Sequence, residues 1–426
     1  MAGGTARAAV RLLLVAFLIF IALAGMPRIA AAVPAPSYAD RRVTAIPARD
    51  LLTRAPADLV DPRRQESAHR LRLRTRPLYA FWALSQIVAL ILLWRRGTAA
   101  RLRDRLTGLG SVHAIRFAFG FLLTCIVALV ALPTAFVIFR LGIGFDILNG
   151  RISEWLRDAA VSALLEGVAA GAFVVAVFWL VDRSRQWWIY MTVATVLASL
   201  SFTALEPIAV APLFERIEPL AASDPAAPRL AALAKAAGLA QPHLVVADLS
   251  RRSRVARVYA AGFGPTSRIV IGDTQLAFAT REETGFVAAR EFVHAAQGDV
   301  WRTALFRTVF FVLCAALAVF ISDRVGFRRD DDPLVHLVLS FGLLGAIVLL
   351  ASPVMHSYSR GIEARTDREA LALTGDSAAA VRSLVRFADE ELAPVCPSRI
   401  VRLYYYDREP VGSRIAALTG RPDPCP

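Results

Sequence analysis

Lysine is almost absent from this chain: of its 49 basic residues only Lys235 is not arginine. Cysteine is scarce too, four in 426 residues, which excludes a scaffold built on disulfides. No CxxC pair and no zinc-finger spacing occurs, so a cysteine-based metal site is also excluded. Cys125 and Cys314 sit in apolar runs, where a thiol acts as a small hydrophobe. Cys396 and Cys425 can pair only if the C-terminal tail lies in an oxidising compartment. Charge is thin at 20% of residues, while hydrophobic residues make up 56%. That exceeds the roughly 45–50% of ordinary soluble proteins. The mean hydropathy is +0.50, and the apolar residues come in blocks, which argues against a single water-soluble globule.

A helix needs about 20 mainly apolar residues to cross a bilayer. Seven segments qualify: Ala9 to Ala31, Leu78 to Trp94, Ile115 to Phe139, Val161 to Val181, Trp188 to Val210, Ala304 to Ile321 and Leu334 to Val354. Trp187, Trp188 and Tyr190 suit an interfacial girdle. The first segment, with Arg7 and Arg11 before it and small residues at 30–32, also has the form of a signal peptide. Retention gives seven spans and cleavage six; the continuous apolar character favours retention. The net charge of +14 then reads as Arg flanking the spans and meeting lipid headgroups. Residues 28–77 contain eleven Arg, and this places the large polar parts in the cytoplasm of a bacterial-type inner membrane.

The chain divides into an N-terminal transmembrane region (1–211), a polar insert (212–302), two further spans (303–354) and a polar C-terminal part (355–426). Within the insert, Glu215 to Leu220 and Arg229 to Ala237 read as helices, the second capped by Gly238. His243 to Ala247 and Arg268 to Ile271 read as strands, with a turn at Gly262 to Pro265. Glu282 to Ala296 is helical again. Gly262-Phe263-Gly264 lacks the third glycine and the lysine of a phosphate-binding loop. The Arg251, Arg252, Arg254 and Arg257 cluster fits solvent or lipid, and no nucleic-acid partner is expected.

Residues Arg290-Glu291-Phe292-Val293-His294 hold the chemistry. In an H-E-x-x-H helix two His one turn apart bind zinc and the Glu activates the metal-bound water. Here Glu291 and His294 keep that spacing, but the first ligand position is Arg290, which has donors and no acceptor. Downstream, Glu363 and Asp367 in Ser359-Arg360-Gly361-Ile362-Glu363-Ala364-Arg365-Thr366-Asp367 share a helix face. One could reach a metal while the other orients a histidine; both could equally be solvent-facing acids paired with Arg360 and Arg365. His356 lies about 10.5 Å along the same helix from Glu363, too far for both to reach one ion.

With these motifs in order, the chain resembles the integral-membrane zinc metalloproteases of the type I CAAX prenyl protease family, a gluzincin branch. Residues 290–294 match its H-E-x-x-H helix, Ser359 to Asp367 its S-R-x-x-E-x-x-A-D signature, Tyr259 to Gly264 its substrate-edge strand, and Tyr406 to Ile415 its late Y-S-H-P-P-x-x-x-R-I element. The resemblance implies a mainly α, polytopic membrane protein carrying a gluzincin-like α+β metalloprotease domain around an intramembrane chamber. It also implies zinc ligands at 290, His294 and Glu363, a general base at Glu291, a supporting carboxylate at Asp367 and a substrate edge at Arg257, Gly262 and Gly264. Arg408 stands where the family has a histidine near the substrate, so two histidines have become arginines. Val293 replaces the family's usual glycine, Arg257 an asparagine and Thr366 an alanine.

The expected function is therefore a degenerate, zinc-deficient homologue of CAAX-type endopeptidases, with no zinc or weak zinc, that binds lipid and membrane peptides or proteins. The alternative is an active zinc endopeptidase cleaving membrane-associated or prenylated peptides. A transporter is disfavoured because few ionisable residues fall inside the spans.

Overall fold

The computed structural model describes residues 33–325 and 332–425. The expected segment at Ala9 to Ala31 lies outside them, and the other six expected spans are all present as long apolar helices.

Short helices α1 (Tyr38–Ala45), α2 (Ala48–Thr53) and α3 (Pro56–Leu59) precede α4 (Pro62–Arg95), which starts on Pro62 with the Asp61 carboxylate accepting from the Arg63 N–H. A first-turn proline suits that place, since its missing N–H has no helical partner to lose. After a short amphipathic α5 (Thr98–Leu106) come α6 (Val112–Gly144), α7 (Ile152–Arg183) and α8 (Trp187–Leu205). Small residues bring α6 and α7 together: a Cβ on Gly171 would stand 2.8 Å from the Phe117 carbonyl oxygen. Past α8 the helix widens into a π turn over Glu206–Val210, where Pro207 can give no helical N–H, and ends in α9 (Ala211–Phe214).

The polar layer begins there. It contains β1 (Ile217–Pro219), α10 (Ala227–Ala236), β2 (Leu244–Ala247), β3 (Val258–Ala261), β4 (Arg268–Gly272), α11 (Asp273–Phe278) and α12 (Arg281–Gln297). Glu215 to Leu220, expected as a helix, is instead the strand β1, paired antiparallel to β2 with Glu218 opposite Val246. Strand order is β1-β2-β4-β3, with β2 parallel and β3 antiparallel to β4, so β3 is an edge strand.

Spans α13 (Asp299–Val325) and α14 (Pro333–Thr374) follow, then α15 (Ser377–Glu390), α16 (Arg399–Tyr405) and α17 (Val411–Thr419). At 42 residues α14 outruns the expected span: its apolar first half lies among the bundle helices and its polar second half continues into the polar layer. One core there joins Phe286 and Ala289 of α12, Ala370 of α14, Leu384 and Val385 of α15 and Ile415 of α17. Val43, Leu51 and Leu59 from the N-terminal short helices belong to the same core, so this early segment packs as part of the polar layer.

The protein is thus a mainly helical polytopic membrane protein with a small sheet and an α+β polar layer.

Candidate functional site

Helix α12 starts with a reciprocal cap. Thr280 Oγ1 accepts from the Glu283 N–H, and the Glu283 carboxylate accepts from the Thr280 N–H. Thr280-x-x-Glu283 is the sequence form of this cap, and it starts the helix at Arg281, one residue before the expected Glu282. The helix is fixed as a rod, and Arg290, Glu291, Phe292, Val293 and His294 are all buried on it. Against it runs the polar half of α14, bringing Glu363, Thr366 and Asp367.

Arg290 lies at the centre, 4% exposed. Its Nε donates to Asp367 Oδ1 at 2.7 Å, one terminal nitrogen donates to Glu363 Oε2, and the other stands 3.8 Å from Glu291 Oε1. Burial alone would favour a neutral guanidine; Asp367, Glu363 and Glu291 outweigh it and hold Arg290 more firmly protonated than usual. Asp367 is gripped from its other side by Arg414 of α17, whose Nε and a terminal nitrogen donate at 2.7 and 2.9 Å. Such forked pairs are the stronger kind of ion pair. Arg408 Nε lies 3.2 Å from Glu363 Oε2. Three guanidinium groups therefore face three carboxylates, Glu291, Glu363 and Asp367, and the centre is neutral.

His294 is held from behind. Its Nδ1 lies 2.9 Å from Asp299 Oδ2, which also accepts from Arg365 at 2.6 Å. Its Nε2 faces Glu363 Oε1 at 3.7 Å. Glu291 turns to the sheet edge, where its Oε2 accepts from the Ala260 N–H at 3.0 Å. Arg290, Glu291, His294, Glu363 and Asp367 thus lie together, as the family resemblance implies. The substrate-edge candidates lie at one remove: Arg257, exposed, pairs with Glu391, while Gly262 and Gly264 sit in the turn after β3, both with positive φ. A cavity of about 370 Å³ opens between β3, α12 and α15, with Arg257, Tyr259, Arg290, Arg408 and Arg414 on its wall.

Two partners escaped the sequence reading. Arg414 fell inside the late motif but had no role assigned, and Asp299 follows the helix-ending Gly298, just where a residue can fold back on His294.

The donor set does not fit zinc. A zinc site in this setting needs three protein ligands at about 2.0–2.2 Å with an open place for water. Here the first ligand position carries a cation without a lone pair, and its guanidinium already occupies Glu363 and Asp367. Among the described residues no group of three or more His, Cys, Asp or Glu is placed to hold a metal, and His356 joins none.

Comparison with known proteins gives the lineage of this arrangement. Residues 227–421 match the model of peptidase family M48, and residues 50–216 match that of the CAAX prenyl protease N-terminal region with five membrane helices. The chain belongs to the M48 peptidase family, in its CAAX prenyl protease type. An uncharacterized metalloprotease of Bacillus subtilis (strain 168), YhfN, is 24% identical over 312 residues, covering 70% of this chain and 71% of that protein. A CAAX prenyl protease 1 homolog of Arabidopsis thaliana is 25% identical over 285 residues, covering 62% of this chain and 64% of its own length. The fold is that of S. mikatae Ste24p, with a TM-score of 0.74 at 19% identity over 89% of this chain and 95% of that one.

Proposed function

We propose that this protein is a degenerate, zinc-deficient member of the CAAX-type membrane metalloproteases that binds membrane-associated peptides or proteins without efficient hydrolysis. The observation that carries the reading is Arg290, seated at the first ligand position and bonded to Glu363 and Asp367. In this reading Glu291 occupies the general-base position but serves the sheet edge, and His294 and Glu363 are retained ligands without their partner. Asp367 has become the anchor of two arginines, and Arg408 at the family's histidine position neutralises Glu363. Arg257, Gly262 and Gly264 form the edge along which an extended chain would lie. The organisation follows the division at residues 211, 302 and 354, with residues 38–60 contributing to the polar layer. On the Arg count of residues 28–77 alone, that layer would be cytoplasmic, in an inner membrane of bacterial type.

Elemental analysis of the full chain purified in detergent tests the function. Zinc well below one equivalent that does not rise on titration supports this reading. Near-stoichiometric zinc, removable by chelator and accompanied by peptide cleavage, would replace it with the active endopeptidase, built on the His294 and Glu363 pair that still face one another at 3.7 Å.

A further inference from the structure

The four cysteines divide by position. Cys125 and Cys314 lie within the spans α6 and α13 and are free thiols. Cys396 and Cys425, the two in the polar layer, are joined in a disulfide. The backbone around that pair is shaped to it. Gly412, in the first turn of α17, comes so close that a Cβ there would lie 2.8 Å from Cys425 Sγ and 2.9 Å from Cys396 Sγ. Its N–H donates to the Val395 carbonyl at 3.0 Å, next to Cys396. The tail is tied again by Arg421, which donates to the carbonyls of Thr53 and Arg54. Disulfides persist in oxidising compartments, whereas cytosolic thiols are kept reduced.

Charge points the same way. At the bundle end away from the polar layer, Arg95, Arg96, Arg101, Arg105, Arg183 and Arg185 are all exposed on short connections. On the near side, the short connection between α6 and α7 and its flanks carry three, Arg140, Arg151 and Arg157. Orientation follows the Lys and Arg of short loops, while long folded domains cross largely regardless of charge. The Arg count of residues 28–77 is weakened as a vote by where those side chains go. Arg42 pairs with Asp389, Arg64 donates to the Asp389 carbonyl and Arg72 to that of Glu391, so they are internal partners of a folded layer.

We propose that the polar layer, with the Arg290 site and its cavity, faces the oxidising, non-cytoplasmic side of the membrane. Any chain the site holds then comes from the extracytoplasmic face. This placement stands whether or not the site binds zinc, so it can fail without the zinc-deficient reading failing.

The test uses the full chain in a bacterium with a disulfide-forming outer compartment. Alkaline phosphatase fused after Pro426 should be active, and green fluorescent protein fused at the same place should be dark. Protein denatured without reduction, with free thiols blocked at lysis, should take maleimide on two cysteines, Cys125 and Cys314, and on four after reduction. A fluorescent fusion with an inactive phosphatase counterpart would overturn the proposal, and so would four reactive thiols before reduction. The thiol count needs no variant, so a misfolded fusion cannot rescue or sink it alone.

Discussion

Arg290 is charged, nearly fully buried and shared between carboxylates of another helix, so its removal should leave Glu363 with Arg408 alone and Asp367 with Arg414 alone as counter-ion, and an unfilled space between the two acids. Breaking a buried pair by deleting one partner costs about 3–5 kcal/mol. Arg290→Met should therefore lower the melting temperature in detergent markedly, and adding Glu363→Gln should recover part of the loss. An unchanged melting temperature in the single variant would show that the ion pairs carry no stability. Arg290→His asks a different question. It completes a His-His-Glu set with His294 and Glu363, so zinc uptake should rise towards one equivalent. Turnover should stay far below that of an active relative, because Arg408 and Arg257 still alter the substrate side. Loss of a single oxyanion donor alone costs about 10²–10³ in rate. Zinc titration alongside a peptide-cleavage assay separates these effects; full turnover from the single substitution would show that Arg408 and Arg257 are harmless.

At the scale of elements, β3 is an edge strand, and the outward N–H of its Ala260, like that of Ala256 just before the strand, is already engaged. The Ala256 N–H donates to Glu390 at 2.8 Å and the Ala260 N–H to Glu291 at 3.0 Å. Glu291 thus has a structural task that glutamine can perform, since its amide oxygen accepts the same hydrogen bond. Glu291→Gln should leave the cellular function and the protein's abundance essentially unchanged in a complementation assay. Complete loss at normal abundance would mean that the carboxylate activates water after all. These contacts also show what the sequence could and could not display. The apolar runs located the six described spans because lipid burial demands about 20 consecutive apolar residues. They understated α14 and α4, whose helices continue as polar rods once outside the apolar zone. Strand β1 was missed because Ile217-Glu218-Pro219 is too short for a period-2 pattern, and its strand form comes from pairing with β2. In the site, the order of the motifs pointed to Arg290, Glu291, His294 and Glu363 in one pocket, but Asp367, expected to support a histidine, binds Arg290 and Arg414 instead. The holds of Asp299 on His294 and Arg414 on Asp367 depend on how α13 and α17 pack, which no local spacing encodes.

Across the whole molecule, the N-terminal short helices are clipped to α15 by buried charges. Arg386, 3% exposed, donates to Glu283, Asp40 and Thr44. Next to it Asp389 accepts from the Asp61 N–H at 3.0 Å and lies 3.3 Å from Arg42. Burial, reinforced by the neighbouring Asp61, pushes the Asp389 carboxyl up to about 6 against the help of that N–H, Arg42 and Arg64. Burial likewise raises Glu390 well above the usual carboxylate range, with Asp40 adding to it and Arg386 and the Ala256 N–H opposing. For Asp389 the sign is the reverse of an ordinary salt-bridged aspartate. Between its unfolded value near 3.8 and its folded value of about 6, the native state binds a proton that the unfolded chain does not, so stability rises as pH falls through that window. The gain is on the order of 1–3 kcal/mol. Asp40, held low overall by Ser37, Glu390 and Arg386 against burial, acts only further down, where acid begins to destabilise the fold. The melting temperature in detergent should therefore climb between about pH 7 and pH 5, and Asp389→Asn should flatten that rise without moving the Arg290 site. A layer facing the outside of a cell would meet such acidification directly. A wild-type melting temperature that falls steadily from neutral pH downward would show that Asp389 ionises normally, and that the clip is an ordinary salt bridge to Arg42.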